Sequence, residues 1–440
     1  MNKWVPSGQN QNSSPRRAKL NVAEIRASLF DTTGVLKLGR KHRPDYLLVV
    51  LIMALAMTGL VVLFSITPAL TGGDDAAALR FMLRQGLFLT AGLVAFFIAS
   101  RIPLDFWRRH GVKLFALAFV TCFVLPIMGW LGIPPARCAL GACRWYSLGS
   151  IGTFQPAEFL KFGTVLFVSG FLAVQAAQNR LNSAKKSLLP LGIMMIAALF
   201  VIVIMQKDLG TGVALVAIVL TQLLIAGVRL RILLLSVVSL GAAGVLSILV
   251  APHRLARVAT FLGQGNEVAD YHINQAMIAL GSGGMTGRGL GRSVQAFGWL
   301  PEAIHDSVFA ILGETLGFIG LFAIILIFAV LLKQIINKVD FIENMYLKLI
   351  VAGVFGWLTA HVIMNIGAMT HLLPLTGITL PLVSLGGTSM LFIMMSLGVV
   401  FAISRYTTHR KVKTEKGDEH ANFVRGRRIG RPYHTDRSNS

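Results

Sequence analysis

The sequence predicts an all-α polytopic membrane protein of ten transmembrane helices, and three observations lead there. Mean hydropathy is +0.69, hydrophobic residues make up 55% of the chain and charged residues only 14%, whereas a soluble domain carries about 25% charged residues. Several apolar runs reach the roughly 20 residues that a membrane-crossing helix needs. These runs are continuous rather than alternating, which excludes a transmembrane β-barrel.

The spans are expected at 46–68, 81–100, 112–131, 157–177, 188–206, 211–228, 232–251, 307–332, 349–370 and 384–404. The first begins at Tyr46, where a polar tail ends. That tail has no short apolar stretch followed by a small-residue cleavage site, so no removable signal peptide is expected. Cys122 falls inside the third span as a packing residue. The fourth opens on Pro156-Ala157-Glu158, with Lys161 on the same helical face. Gly210-Thr211 opens the sixth span and Asp306-Ser307 the eighth, which carries Glu314 between Gly313 and Gly317. His361 and Asn365, four apart in the ninth, read as interhelical hydrogen-bonding residues. The tenth opens through Ser384, Gly386, Gly387, Thr388 and Ser389.

Charge sets the expected orientation. An even number of spans puts both tails on one side. Of the 41 lysines and arginines, ten fall on the opposite side: Arg80, Arg84, Arg137, Arg144, Lys161, Lys207, Arg254, Arg257, Arg288 and Arg292. The remaining 31 lie with the tails, which makes that side cytoplasmic and turns the loops 132–156 and 252–306 outward. The formal net charge of +22 is therefore read as membrane topology and contact with anionic lipid rather than as nucleic-acid binding. Residues 1–45 and 406–440 are polar and basic and are expected to be disordered cytoplasmic tails around a membrane domain at 46–405. Cys138 and Cys143 share an outward loop, where a disulfide can persist; spacing alone leaves the bridge open.

The outward segments hold more polar residues than connecting loops need. Glu158 and Lys161 either neutralise each other at the interface or hold a cation ready for a phosphate. Gly210-Thr211 and Gly386 to Ser389 are either ordinary helix caps or anion-binding helix starts. Gly287-Arg-Gly-Leu-Gly-Arg292 is no nucleotide loop, because no strand precedes it and no Walker lysine follows; it suits a diphosphate or an anionic lipid headgroup. Asp306 and Glu302, with His305 between them, offer a general base, and Asp306 can equally cap the eighth span. Glu314 reads either as an intramembrane functional acid or as a hydrogen-bond partner between helices. The histidines are scattered and no His/Cys spacing fits zinc, so no metal site is expected, although a divalent cation such as Mg²⁺ bridging a diphosphate to Asp208 or Glu302 is chemically conceivable.

These motifs, in this order, resemble the SEDS family (shape, elongation, division and sporulation). The matching residues are Arg144-Trp145, then Gln155-Pro156-Ala157-Glu158 with Lys161; Gln206 with Asp208-Leu209-Gly210-Thr211; Gly281-Ser282-Gly283-Gly284; Gly289-Leu290-Gly291; Leu300-Pro301-Glu302-Ala303 with Asp306; and Leu373-Pro374 through Gly377-Ile378-Thr379-Leu380-Pro381 to Gly386-Gly387. The resemblance covers about residues 46–405. It implies a glycosyltransferase that polymerises lipid II at the outer face of the cytoplasmic membrane, with Asp306 at the family's essential aspartate. It also implies an inverting displacement of an undecaprenyl-diphosphate leaving group, and a class B penicillin-binding protein and other division proteins as partners. Substrate-binding roles follow for Arg144, Trp145, Gln155, Glu158, Lys161, Asp208, Gln275, Arg288, Arg292, Glu302, His305, Ser384 and Gly386.

The long basic tail and Gly289-Leu290-Gly291-Arg292-Ser293-Val294-Gln295 are more similar to division-type members, which implies septal wall synthesis; an elongation-type polymerase and a lipid II flippase are the alternatives. The departures from the family pattern are Ile304-His305 for His-Thr, Ser307 for Phe, Lys207 for Pro, Thr315 for a second Glu, Leu385 for Tyr, and Asp270-Tyr271-His272 for Gly-Tyr-Gln.

Overall fold

The computed structural model describes residues 42–139, 141–149, 152–262 and 267–407. Most of both expected tails lies outside the described residues. In chain order the elements are α1 (Tyr46–Leu70), α2 (Asp75–Arg101), α3 (Leu104–Trp130), β1 (Ala136–Ala139), β2 (Ala142–Ser147), β3 (Thr153–Phe154), α4 (Pro156–Ala177), α5 (Ala184–Met205), α6 (Leu209–Ala226), α7 (Leu230–Leu249), α8 (Pro252–Phe261), α9 (Glu267–Ser282), α10 (Val308–Lys338), α11 (Met345–Met369) and α12 (Gly387–Ile403). Among the described residues ten helices are long and apolar enough to cross a membrane, namely all but α8 and α9. The protein is a multi-pass membrane protein of the expected fold class.

Several ends differ from the expected ones, each for a local reason. The second span starts at Asp75 rather than 81, because the Asp74 carboxylate accepts from the amides of Ala76 and Ala77 and caps it. The third starts at Leu104 rather than 112, because Asp105 pairs with Arg108 at 3.6 Å and Arg109 at 2.6 Å, so the cations fold along the helix instead of delaying it. The eighth runs past 332 to Lys338, whose ammonium meets Asp45 just before α1. The tenth starts at Gly387 rather than 384; the preceding turn is closed by Leu380 N donating to Ser384 Oγ at 2.9 Å.

The core lies on α4, α11 and α12, whose buried side chains include Leu160, Trp357 and Leu397. α11 packs on α4, α6 and α10; α12 packs on α2. The contact of α12 with α2 needs glycine, because a Cβ at Gly398 would collide with the backbone oxygen of Phe96. Gln222 supplies polar adhesion, donating to Val165 O at 2.9 Å and Ser169 Oγ at 2.8 Å across α4 and α6. α7 stands apart, with none of its residues buried and Leu235 and Val238 about 70% and 68% exposed, a face that suits lipid.

The connections 131–155, 206–208, 250–307 and 370–386 follow the odd-numbered spans and therefore share one end of the bundle. The antiparallel β1–β2–β3 sheet folds over this end, and Cys138 and Cys143 form a disulfide across its first hairpin.

Candidate active site

A cleft opens at the shared end, lined by Arg144, Lys207, Asp208, Leu209, Ile248, Arg254, Arg257, Val258 and residues 374–376. It brings together the β2 strand, the α5–α6 turn, α8 and the loop before α12. Four cations face one carboxylate there. Arg144 is held by backbone: Nε donates to Gln206 O at 3.1 Å and a terminal nitrogen to Lys207 O at 2.6 Å. Lys207 stands in the left-handed region at φ +56°, which lets its carbonyl reach Arg144. Arg254 is buried, donates to Ser247 O at 2.9 Å and to Val203 O, and leaves its Nε without a protein partner. Arg257 donates to Leu375 O at 3.2 Å. Burial, then repulsion from Arg144, pushes the guanidinium pKa of Arg254 below its ordinary value. Like charges crowded into a half-buried cleft are costly unless an anion joins them.

Asp306 lies beside this group. Burial, with the Glu302 carboxylate adding to it, pushes its pKa from 3.8 up to about 7; the amides of Asp306 and Ser307 and the charge of Arg257 pull the other way. Oδ1 of Asp306 is buried without a hydrogen-bond partner. The carboxylate does not cap the helix: Ser307 holds the N-cap position, and its hydroxyl donates to Pro301 O at 2.9 Å. Gly377 faces Oδ2 of Asp306 and stands at φ +72°, a conformation that suits glycine, so the backbone can turn beside the carboxylate. Asn365, from α11, donates to Asp306 O and to Ile378 O, both at 2.7 Å, so it stitches the two loops together. His305 Nδ1 donates to Leu385 O at 2.7 Å and pins the same turn to the loop before α12; Glu302 beside it is exposed. A carboxylate that titrates near neutrality, keeps one oxygen without a hydrogen-bond partner and adjoins a cationic cleft is arranged for proton abstraction next to a departing anion.

The other expected site residues divide. Asp208 lines the cleft but also caps α6, accepting from Thr211 N at 3.0 Å and Thr211 Oγ1 at 2.9 Å, so the Gly210-Thr211 helix start is filled by the protein's own carboxylate. Gln155 precedes α4; its amide nitrogen donates to Thr388 Oγ1 at 3.3 Å and its side chain reaches toward Asp208 at 3.5 Å. Trp145 is half-buried in β2 opposite Arg137, and Gln275 is half-buried on α9. Ser384 and Gly386 form the turn that opens α12.

Glu158 and Lys161 are buried and paired at 2.8 Å, and Lys161 also donates to His361 Nε2 at 2.9 Å and faces the Trp357 ring. Lys161 thus binds α4 to α11, and the phosphate-holding reading gives way to an interhelical tie, because the ammonium is buried among Glu158, His361 and the Trp357 ring.

The glycine-rich loop also departs from expectation. α10 breaks at Gly317, at φ +68° and ψ −171°, and the loop fills the break. Arg288 N donates to Glu314 O at 2.9 Å, Gly289 N to Thr315 O at 3.0 Å, and Phe318 N to Gly284 O at 2.9 Å. The amides of Arg288 and Gly289, which an anion cradle would need, are therefore engaged. Glu314 is fully buried; Ser293 Oγ donates to it at 2.6 Å, Val294 N at 2.8 Å, and Arg288 stands 3.5 Å away. Arg292 is exposed on the loop.

The sequence motifs do not mark Lys207, Arg254 and Arg257 as site residues. Arg254 and Arg257 are three apart just after Pro252, on one face of α8, and that spacing was readable. Among the described residues no three His, Cys, Asp or Glu side chains converge as a metal site.

The sequence profile FtsW/RodA/SpoVE, described as cell cycle protein, matches residues 45–409. The stage V sporulation protein E of Bacillus subtilis is 34% identical over 84% of this chain and 99% of that protein. The probable peptidoglycan glycosyltransferase FtsW of Coxiella burnetii is 30% identical over 82% of this chain and 96% of its own length. In fold, the chain matches a solved structure from work on the structural coordination of polymerization and crosslinking by a peptidoglycan synthase complex, with a TM-score of 0.66 at 21% identity over 82% of this chain and 98% of that one. The rod shape determining protein RodA of Thermus thermophilus gives a TM-score of 0.60 at 22% identity over 83% and 98% of the two chains. This chain belongs to the FtsW/RodA/SpoVE family of cell cycle proteins.

Proposed function

We propose that this protein is a peptidoglycan glycosyltransferase that polymerises lipid II into glycan strands. The observation that carries the reading is Asp306: a carboxylate raised to about 7, with one oxygen unpartnered, beside a cleft of four cations. Asp306 takes the proton of the acceptor's 4-hydroxyl. The hydroxyl oxygen bonds to the donor's anomeric carbon as the carbon–oxygen bond to the undecaprenyl diphosphate breaks, and a single displacement inverts that carbon. Arg144, Lys207, Arg254 and Arg257 meet the departing diphosphate. A divalent cation bound through Asp208 or Glu302 would add to that charge. The polyprenyl tails run along exposed apolar faces such as that of α7.

By the positive-inside rule the cleft faces outward from the cytoplasmic membrane. The relatives named FtsW support a septal role in cell division, with a class B penicillin-binding protein supplying crosslinking. The test is proteoliposomes holding the protein, a class B partner and labelled lipid II. Glycan polymer that disappears in a well-folded Asp306→Ala variant supports the reading. Transbilayer movement of lipid II without polymer would instead favour a flippase, and full polymerisation by the variant would contradict the assignment.

A further inference from the structure

The turn 301–307 that displays Asp306 is held on two flanks. On one, His305 donates to Leu385 O at 2.7 Å and Leu385 N donates back to Ile304 O at 2.9 Å. On the other stands an isolated pair: the His272 Nε2 atom of α9 lies 2.7 Å from Ser307 Oγ. Ser307 is fully buried, and its hydroxyl hydrogen is committed to Pro301 O at 2.9 Å. The hydroxyl can therefore only accept from His272, which fixes a proton on Nε2. Burial lowers the pKa of His272; Arg257 acts the same way and Glu302 opposes it, so the ring works as a neutral donor.

We infer that His272 is a positioning residue: through Ser307 it ties α9 to the turn that presents Asp306, and so fixes the base against the acceptor hydroxyl. This rests on the glycosyltransferase reading. The relay runs from the ring N–H to the hydroxyl and on to the Pro301 carbonyl, and it closes the turn one residue after the base. Loss of the relay lets the turn move without removing any group that binds substrate. The effect thus falls on kcat and spares KM, and a shift of about 1 Å is worth up to roughly a hundredfold in rate.

The test measures kcat and KM for lipid II polymerisation in proteoliposomes, beside melting temperature. His272→Phe keeps a ring of similar size without a donor; Ser307→Ala removes the acceptor; His272→Gln keeps an amide donor. The expected result is a tenfold to hundredfold fall in kcat for His272→Phe and Ser307→Ala, with KM unchanged. The double variant should be no worse than Ser307→Ala, and His272→Gln should recover most of the rate. Independent, multiplying effects, or a loss confined to KM, would overturn the inference while leaving the enzyme reading intact. If either substitution destabilises the protein, the recovery by His272→Gln at equal melting temperature still decides the matter. A wild-type protein that makes no glycan would instead overturn the underlying reading.

Discussion

Asp306 and Glu314 are two acids at the start of the same helix, and they differ in what surrounds them. Glu314 is fully buried, yet its carboxylate receives a hydroxyl, a backbone amide and a nearby guanidinium. Asp306 is raised to about 7 and keeps an unpartnered buried oxygen beside a cationic cleft. An ionisable group inside a membrane protein invites a functional reading by default. The comparison adds a criterion: a saturated acid holds structure, and an unsaturated acid beside unpaired opposite charge is poised for chemistry.

The largest expected effect separates the two acids directly. Asp306→Asn should lower polymerisation by roughly 10²–10⁴-fold without lowering the melting temperature. Glu314→Ala should do the reverse, lowering stability by about 1–3 kcal/mol through orphaned donors while the folded fraction keeps most of its specific activity. Detergent-solubilised melting curves beside glycan assays would show it, and equal activity losses at the two positions would erase the distinction.

Next come the arginines. Arg257→Ala should cut kcat/KM for lipid II by roughly a hundredfold. Arg288→Ala, at the Glu314 plug, should leave kcat/KM near the wild-type value. Steady-state kinetics on both variants would sharpen the assignment of the diphosphate to the cleft.

A subtler effect concerns stability against pH. Asp306 binds its proton more tightly folded than unfolded, so ionising it as pH rises from about 4 to 7 costs stability. Asp306→Asn should therefore raise the melting temperature more at pH 8 than at pH 5. A larger gain at pH 5 would mean that the native carboxylate is stabilised rather than strained.

The ten-span frame was readable because bilayer thickness sets the length of an apolar run, and Asp306 because a family motif surrounds it. Span ends were less readable: Asp74 and Asp105 act through local capping and pairing that hydropathy ignores. The glycine-rich loop looks like a phosphate cradle in sequence, which does not reveal that Gly317 breaks α10 and draws the loop's amides in. For Lys161 the sequence offers the pair with Glu158 but not the tie to His361, which lies 200 positions away. Arg254 and Arg257 were visible as outward charges, but their convergence on Arg144 and Lys207 is a product of tertiary packing.

The most direct test of the central claim is the pH dependence of kcat/KM for lipid II polymerisation between pH 5 and 9. The account predicts a rate that rises with pH through a midpoint near 7, the value to which Asp306 is pushed, because only the carboxylate can accept the hydroxyl's proton. Glu302→Gln should move that midpoint down, since the Glu302 charge helps hold it up, and Arg257→Gln should move it up. A profile that is flat across this range, or a midpoint that ignores both substitutions, would contradict Asp306 as the base.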